Sequence, residues 1–145
     1  MILYAETSAV LAWLLGESTG QSVRAGLAGA AAVFTSQLTL AECERALARL
    51  AASRHLDSTA LVVLRETLGR AAAHWIRLEI SSTVLGRCGE PFPVEPVRTL
   101  DAIHLATALE LRAAEPRLVV LSLDERVRRN ASAMGLVIQP AAGPA

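Results

Sequence analysis

Carboxylates stand where this 145-residue chain passes from apolar runs into helical patterns. Glu6 ends the run Met1-Ile-Leu-Tyr-Ala and precedes Thr7-Ser8. Glu42 lies a turn or so into a helical pattern that starts at Ser36, Asp101 opens the apolar stretch Leu100–Leu111, and Asp124 follows the run Arg117–Ser122. Each acid alone has an ordinary explanation. Negative charge near a helix start is favourable by roughly 0.3–1 kcal/mol, Asp124-Glu-Arg is a natural helix start, and Glu42 is spaced to pair with Arg45. As a set they pose an electrostatic problem, because carboxylates gathered within a few ångströms stay ionised near neutral pH only where a cation shares the space. An oxygen-only set with no Cys or His cluster suits Mg2+ or Mn2+ and disfavours zinc. Such a site handles phosphates, using one or two ions to activate water for in-line attack on a phosphodiester and to offset charge on the leaving group.

For the four acids to meet, the fold must deliver them to one edge. Leu100, Ile103, Ala106, Thr107 and Leu111 recur at helical spacing with no Gly or Pro between Thr99 and Leu111. This predicts a buried helix, with Thr99 as a possible cap. Asp101 on so apolar a helix needs a partner such as Arg98, His104, water or a metal. Met1–Ala5 reads as a buried strand, followed by a helix capped by Thr7 or Ser8 and stopped at Gly16. A short helix over 18–29, a strand over 31–35 and a long helix from the Ser36 cap to about Arg54 come next. Asp57-Ser58 restarts a helix carrying Leu61, Leu64, Leu68 and Ala72, and Trp75–Ile80 alternates as a strand. Residues 81–87 can hold a short helix before Gly89, Pro91, Pro93 and Pro96 make the chain irregular. Beyond the Asp101 helix, 117–122 is a buried strand, 124–134 a helix and 135–138 a brief last strand.

Strands separated by helices require crossovers. The expectation is therefore an α/β fold, a three-layer α/β/α sandwich with a mostly parallel sheet of about five short strands. Its working edge lies at the carboxyl ends of the strands. Residues 1–139 form one domain, and 140–145 read as a disordered tail.

All fourteen basic residues are arginine, and they balance fourteen acids. Contact with nucleic acid must therefore come from local arginines rather than an overall field. The candidates are Arg126, Arg128 and Arg129 beyond Asp124, or Arg45, Arg49 and Arg54 on the long helix, though exposed helix faces carry such charges routinely. The lack of lysine removes a phosphoreceiver site and a P-loop, and no GxGxxG follows the first strand. Cys43 and Cys88 lack the spacing of a zinc or redox pair. There is no signal peptide and no run of transmembrane length, so no membrane role and a cytoplasmic location are expected. His104 reads as a satisfied packing residue, Trp13 and Trp75 as core.

The series Tyr4-Ala-Glu-Thr-Ser-Ala9, Ser36-Gln-Leu-Thr-Leu-Ala-Glu-Cys-Glu-Arg-Ala-Leu47, Leu100-Asp-Ala-Ile-His-Leu-Ala106 and Leu121-Ser-Leu-Asp-Glu-Arg126, followed by Ala133-Met-Gly-Leu136, resembles a PIN domain. More narrowly it is similar to the VapC-type toxins of bacterial toxin–antitoxin pairs. The resemblance runs from the first strand to about Pro140. It implies a Mg2+- or Mn2+-dependent endoribonuclease whose catalytic and metal-binding acids are Glu6, Glu42, Asp101 and Asp124. Ser8 and Ser122 fall where such proteins often place a hydroxyl beside the metal ligands. The chain departs from the family at Glu6, where Asp usually precedes the Thr-Ser pair. The resemblance also implies an RNA substrate, an antitoxin seated over residues 8–28 and 38–72, and a homodimer. The rival reading is a catalytically silent PIN scaffold that binds RNA, metal or a partner without cutting.

Overall fold

The computed structural model describes residues 1–141, so positions 142–145 of the expected tail lie outside the described residues. The elements are β1 (Ile2–Ala5), α1 (Thr7–Leu14), α2 (Gly20–Gly29), β2 (Ala32–Ser36), α3 (Gln37–Ala52), α4 (Ser58–Ala72), β3 (Ile76–Leu78), α5 (Ser82–Cys88), α6 (Thr99–Ala114), β4 (Leu118–Leu121), α7 (Glu125–Ala133) and β5 (Val137–Gln139). The strands form one sheet in the order β3-β2-β1-β4-β5, every pairing parallel. The winding runs outward from β1 through β2 to β3, then returns to the other side of β1 with β4. That reversal makes the carboxyl ends of β1 and β4 a topological switch point, the place where open α/β sheets leave a crevice.

Successive side chains of a strand point to opposite faces, and the core divides accordingly. Tyr4, Leu118 and Val120 pack with Leu105, Ala108 and Leu111 of α6 and with Val127 and Ala131 of α7. Ala5 and Val33 pack on the other face with Val10 and Leu14 of α1, Cys43 and Leu47 of α3 and Leu68 of α4. Leu3, Val119 and Leu121 meet Val23 of α2 there as well. Three layers result, as the alternation of runs and helical periods predicts. Gly20 lets α2 start hard against α1, since a Cβ there would stand 2.5 Å from the Ala12 carbonyl oxygen.

Helix starts differ in detail from the expectation. The cap of α1 is Glu6, whose carboxylate accepts from Ser8 N, rather than Thr7 or Ser8. The cap of α6 is Arg98, and no side chain accepts there, because Thr99 is already inside the helix. Ser36, Asp57 and Asp124 cap α3, α4 and α7 as their types predict. Strand β3 covers only three residues of the expected 75–80, at an edge where Ile76 is exposed. Pro140 is tied down, since its carbonyl accepts from Arg128 Nη2 at 3.0 Å. Among the described residues no helix is long and apolar enough to cross a membrane.

Candidate active site

Glu6 leaves β1 at the switch point with its backbone N–H donating to Leu121 O of β4 at 3.0 Å. Its side chain is 5 % exposed, so a carboxylate there requires donors. Three are present. Ser8 N donates to Oε1 at 3.1 Å, Ser122 Oγ donates to Oε2 at 2.7 Å, and Ser8 Oγ also donates to Oε2. Ser8 Oγ in turn accepts from the backbone N–H of Leu123 at 2.8 Å and of Asp124 at 3.0 Å. Ser8 and Ser122, named from the resemblance, thus lie between Glu6 and the segment that carries Asp124.

Glu42 arrives from α3. Its Oε2 accepts from Thr7 Oγ1 and from His104 Nε2, the latter at 2.7 Å. Burial acts to raise its pKa, but the hydrogen bonds from His104 and Thr7 outweigh it and hold the carboxyl below its ordinary range. The same burial, with the charges of Glu42, Glu6 and Glu44, pushes the neighbouring Cys43 thiol up to about 12. Cys43 is therefore a packed, inert thiol, as its isolation in the sequence suggests.

Asp124 spends Oδ1 on the backbone N–H groups of Arg126 and Val127, both at 2.9 Å. Asp101, in the first turn of α6, accepts from Arg126 Nη1 at 3.0 Å. Its partner is neither Arg98 nor His104, the protein partners that its own neighbourhood suggested, but an arginine 25 residues on. The other two arginines expected to meet RNA are also engaged. Arg128 Nη1 donates to Ser122 O at 2.7 Å, stapling the ends of β4 and β5, while Arg129 pairs with Glu125 at 2.7 Å on an exposed surface.

The fold thus delivers all four acids to the carboxyl edge, in two groups. Glu6 and Glu42 flank His104, whose Nε2 is 4.0 Å from Glu6 Oε1, and Asp101 and Asp124 flank Arg126. Among the described residues no three His, Cys, Asp or Glu side chains stand together as a ready metal cage. The donor chemistry still suits a hard divalent cation. Glu42 Oε1, Asp101 Oδ1 and Asp124 Oδ2 accept no protein hydrogen bond among the described residues. A cleft of about 360 Å3 opens beside Glu42, lined by Thr7, Leu11, Leu38, Arg45 and Arg49 among others, with Asp101 and Asp124 outside its lining.

The model of the PIN domain family matches residues 3–133. The ribonuclease VapC45 of Mycobacterium tuberculosis is 31% identical over 141 residues, which are 97% of this chain and 96% of that protein. The chain belongs to the PIN-domain VapC family. Two solved structures share its fold at low identity. Mycobacterium tuberculosis VapC20, described as a Sarcin-Ricin loop cleaving toxin, superposes with a TM-score of 0.63 at 16% identity, covering 93% of this chain and 96% of its own. VapBC2 from Rickettsia felis, bound to a DNA fragment from their promoter, gives 0.65 at 13% identity over 96% and 98%.

Sequence reasoning missed the roles of Tyr4 and Thr7 in this VapC site. Tyr4, the sole tyrosine, precedes Glu6 by two residues, and His104 follows Asp101 by three on α6. Those spacings place Tyr4 on the strand face of Glu6 and His104 on the helix face of Asp101, without marking that the two meet each other.

Proposed function

We propose that this chain is the toxin of a type II toxin–antitoxin pair, an endoribonuclease that hydrolyses RNA phosphodiester bonds with Mg2+ or Mn2+. What supports the reading is one observation: Glu6, Ser8, Ser122 and Asp124 are joined by hydrogen bonds at the switch point, with Glu42 and Asp101 brought to the same edge. The carboxylates of Glu6, Glu42, Asp101 and Asp124 would hold the ion. Bound there, a divalent ion supplies an activated water and offsets charge on the phosphoryl oxygens. Ser8 and Ser122 hold the Glu6 carboxylate in place. Arg45 and Arg49 line the cleft beside Glu42 and are placed to take RNA phosphates there, with Arg126 against Asp101 and Arg129 farther along α7. Arg128, committed to backbone carbonyls, orders the strand ends from which Ser122 projects.

A cognate antitoxin covering the acidic edge, a cytoplasmic location and a homodimer complete the proposal. The exposed pair Val62 and Val63 on α4 favours the dimer, which sedimentation at micromolar concentration checks.

The decisive experiment incubates purified protein with total RNA. Cleavage should vanish in excess EDTA, return with Mg2+ or Mn2+, and be absent in Asp101→Asn. Equal cleavage in EDTA, or full activity in Asp101→Asn, would sink the mechanism. Metal binding without cleavage would favour the silent scaffold.

A further inference from the structure

The nuclease reading makes no use of His104, yet this imidazole is 1 % exposed and stands where two carboxylates approach each other. Its Nε2 faces Glu42 Oε2 at 2.7 Å, Thr7 Oγ1 at 3.0 Å and Glu6 Oε1 at 4.0 Å. A carboxylate oxygen only accepts, and Thr7 sends its hydroxyl hydrogen to Glu42, so Nε2 must carry a proton and donate it. On the far side of the ring, Nδ1 lies 2.8 Å from the Tyr4 hydroxyl. Tyr4 is fully buried, and burial followed by the charge of Glu6 holds its phenol well above the ordinary pKa. The hydroxyl can give or take a hydrogen, and the contact holds this edge of the ring in either case. The two rings meet edge to face at 6.1 Å. A chain of contacts follows: Tyr4 Oη against Nδ1, then Nε2–H to Glu42 Oε2. It ties β1 to α6 and α6 to α3, the three elements that carry or adjoin Glu6, Asp101 and Glu42.

We propose that His104, held against Tyr4 on one side and Glu42 on the other, is a positioning residue that sets which oxygen of Glu42 is offered to the site. With Oε2 taken by His104 and Thr7, Oε1 is the oxygen without a protein partner, on a residue that lines the cleft. The proposal rests on the nuclease reading for its consequence, but its geometry can be read separately. A partner that fixes a ligating carboxylate in this way is typically worth about 10- to 100-fold in metal affinity or activity.

The test uses the full chain and Mn2+ as the probe. Long-range proton–nitrogen correlation on 15N-labelled protein should show His104 Nε2 carrying a proton, assigned by the loss of its signals in His104→Gln. Tyr4→Phe removes the contact at Nδ1 and should shift the His104 ring signals while Nε2 keeps its proton. Calorimetric Mn2+ binding should weaken by about 10- to 100-fold in His104→Leu. His104→Gln, whose amide N–H can reach Glu42, should recover most of it. Kinetics should follow with a fall in kcat at little change in KM. Wild-type Mn2+ affinity in His104→Leu overturns the proposal, as does an equal loss in His104→Gln and His104→Leu. If His104→Leu fails to fold, Tyr4→Phe decides, since it removes one oxygen: unchanged nitrogen signals and unchanged Mn2+ binding refute the positioning role. Should the wild type neither bind Mn2+ nor cut RNA, the nuclease reading falls on its own. The His104 signals, compared between wild type and Glu42→Gln, would still report whether Nε2–H is held by that carboxylate, and no change between them refutes it.

Discussion

Glu6 is buried and receives three donors from neutral groups, whereas Asp101, about one-fifth exposed on its side chain, faces a single guanidinium. Both are acids at one sheet edge, yet the protein stabilises them by different means. On the Glu6 and Glu42 side, hydroxyls, a backbone N–H and the imidazole N–H of His104 satisfy the lone pairs. On the Asp101 and Asp124 side, a formal positive charge from Arg126 sits within the group. Neutral donors keep an anion strong and aimed, while a paired arginine neutralises it and can swing away. The first side is preset, and on the second a cation bound as the nuclease proposal requires would have to compete with Arg126.

Several substitutions can break or sharpen that contrast. The largest effect is expected from Glu6→Gln. It removes charge without volume at the better ordered side, and RNA cleavage should fall by about 100-fold or more. Next is Ser122→Ala, which takes one donor from a buried carboxylate and should cost about 1.5–3 kcal/mol in denaturant unfolding. A cost near zero would mean that the hydroxyl is not aimed at Glu6. Arg126→Gln touches a pair part-open to solvent and should change stability by less than about 1 kcal/mol. It should nevertheless lower the Mg2+ concentration needed for half-maximal cleavage, because Asp101 no longer has a resident partner; a rise would show that Arg126 assists the acids rather than competes for them. The smallest effect is in pH. Glu42 is held below its ordinary range by His104 and Thr7 against the opposing push of burial. The stability it contributes is thus present above the unfolded value of about 4.3 and lost as pH falls through the folded one. The gap in melting temperature between wild type and Glu42→Gln should therefore be widest near neutral pH and close under acid.

The same contrast marks what could be read from residue order alone. Strands, helices and the arrival of the four acids at one edge follow from local periods and from the rule for parallel crossovers, which need only neighbours in sequence. Ser36, Asp57 and Asp124 reveal themselves as caps because a cap acts within three residues. The pairing of Asp101 with Arg126, the bond from Tyr4 to His104 across 100 positions and the donation from Ser122 to Glu6 across 116 were not legible. Each depends on rotamers chosen after the sheet has formed, and nothing in the spacing of either partner marks the other. Glu6 as the cap of α1 was missed for a related reason, since Thr7 and Ser8 beside it are equally good caps by type and only the turn of the backbone selects among them.

The reversal of winding between β1 and β4 has a practical corollary. In an all-parallel sheet each helix returns to the next strand at the amino edge, so the connections 30–31, 73–75, 115–117 and 134–136 all surface opposite the acids. A fluorophore or affinity tag spliced into one of these returns sits a strand's length from the acids, roughly 13 Å at about 3.3 Å per residue for the four residues of β1. The molecule therefore offers a handling side and a working side, and reporters can be attached to the first without obstructing the second.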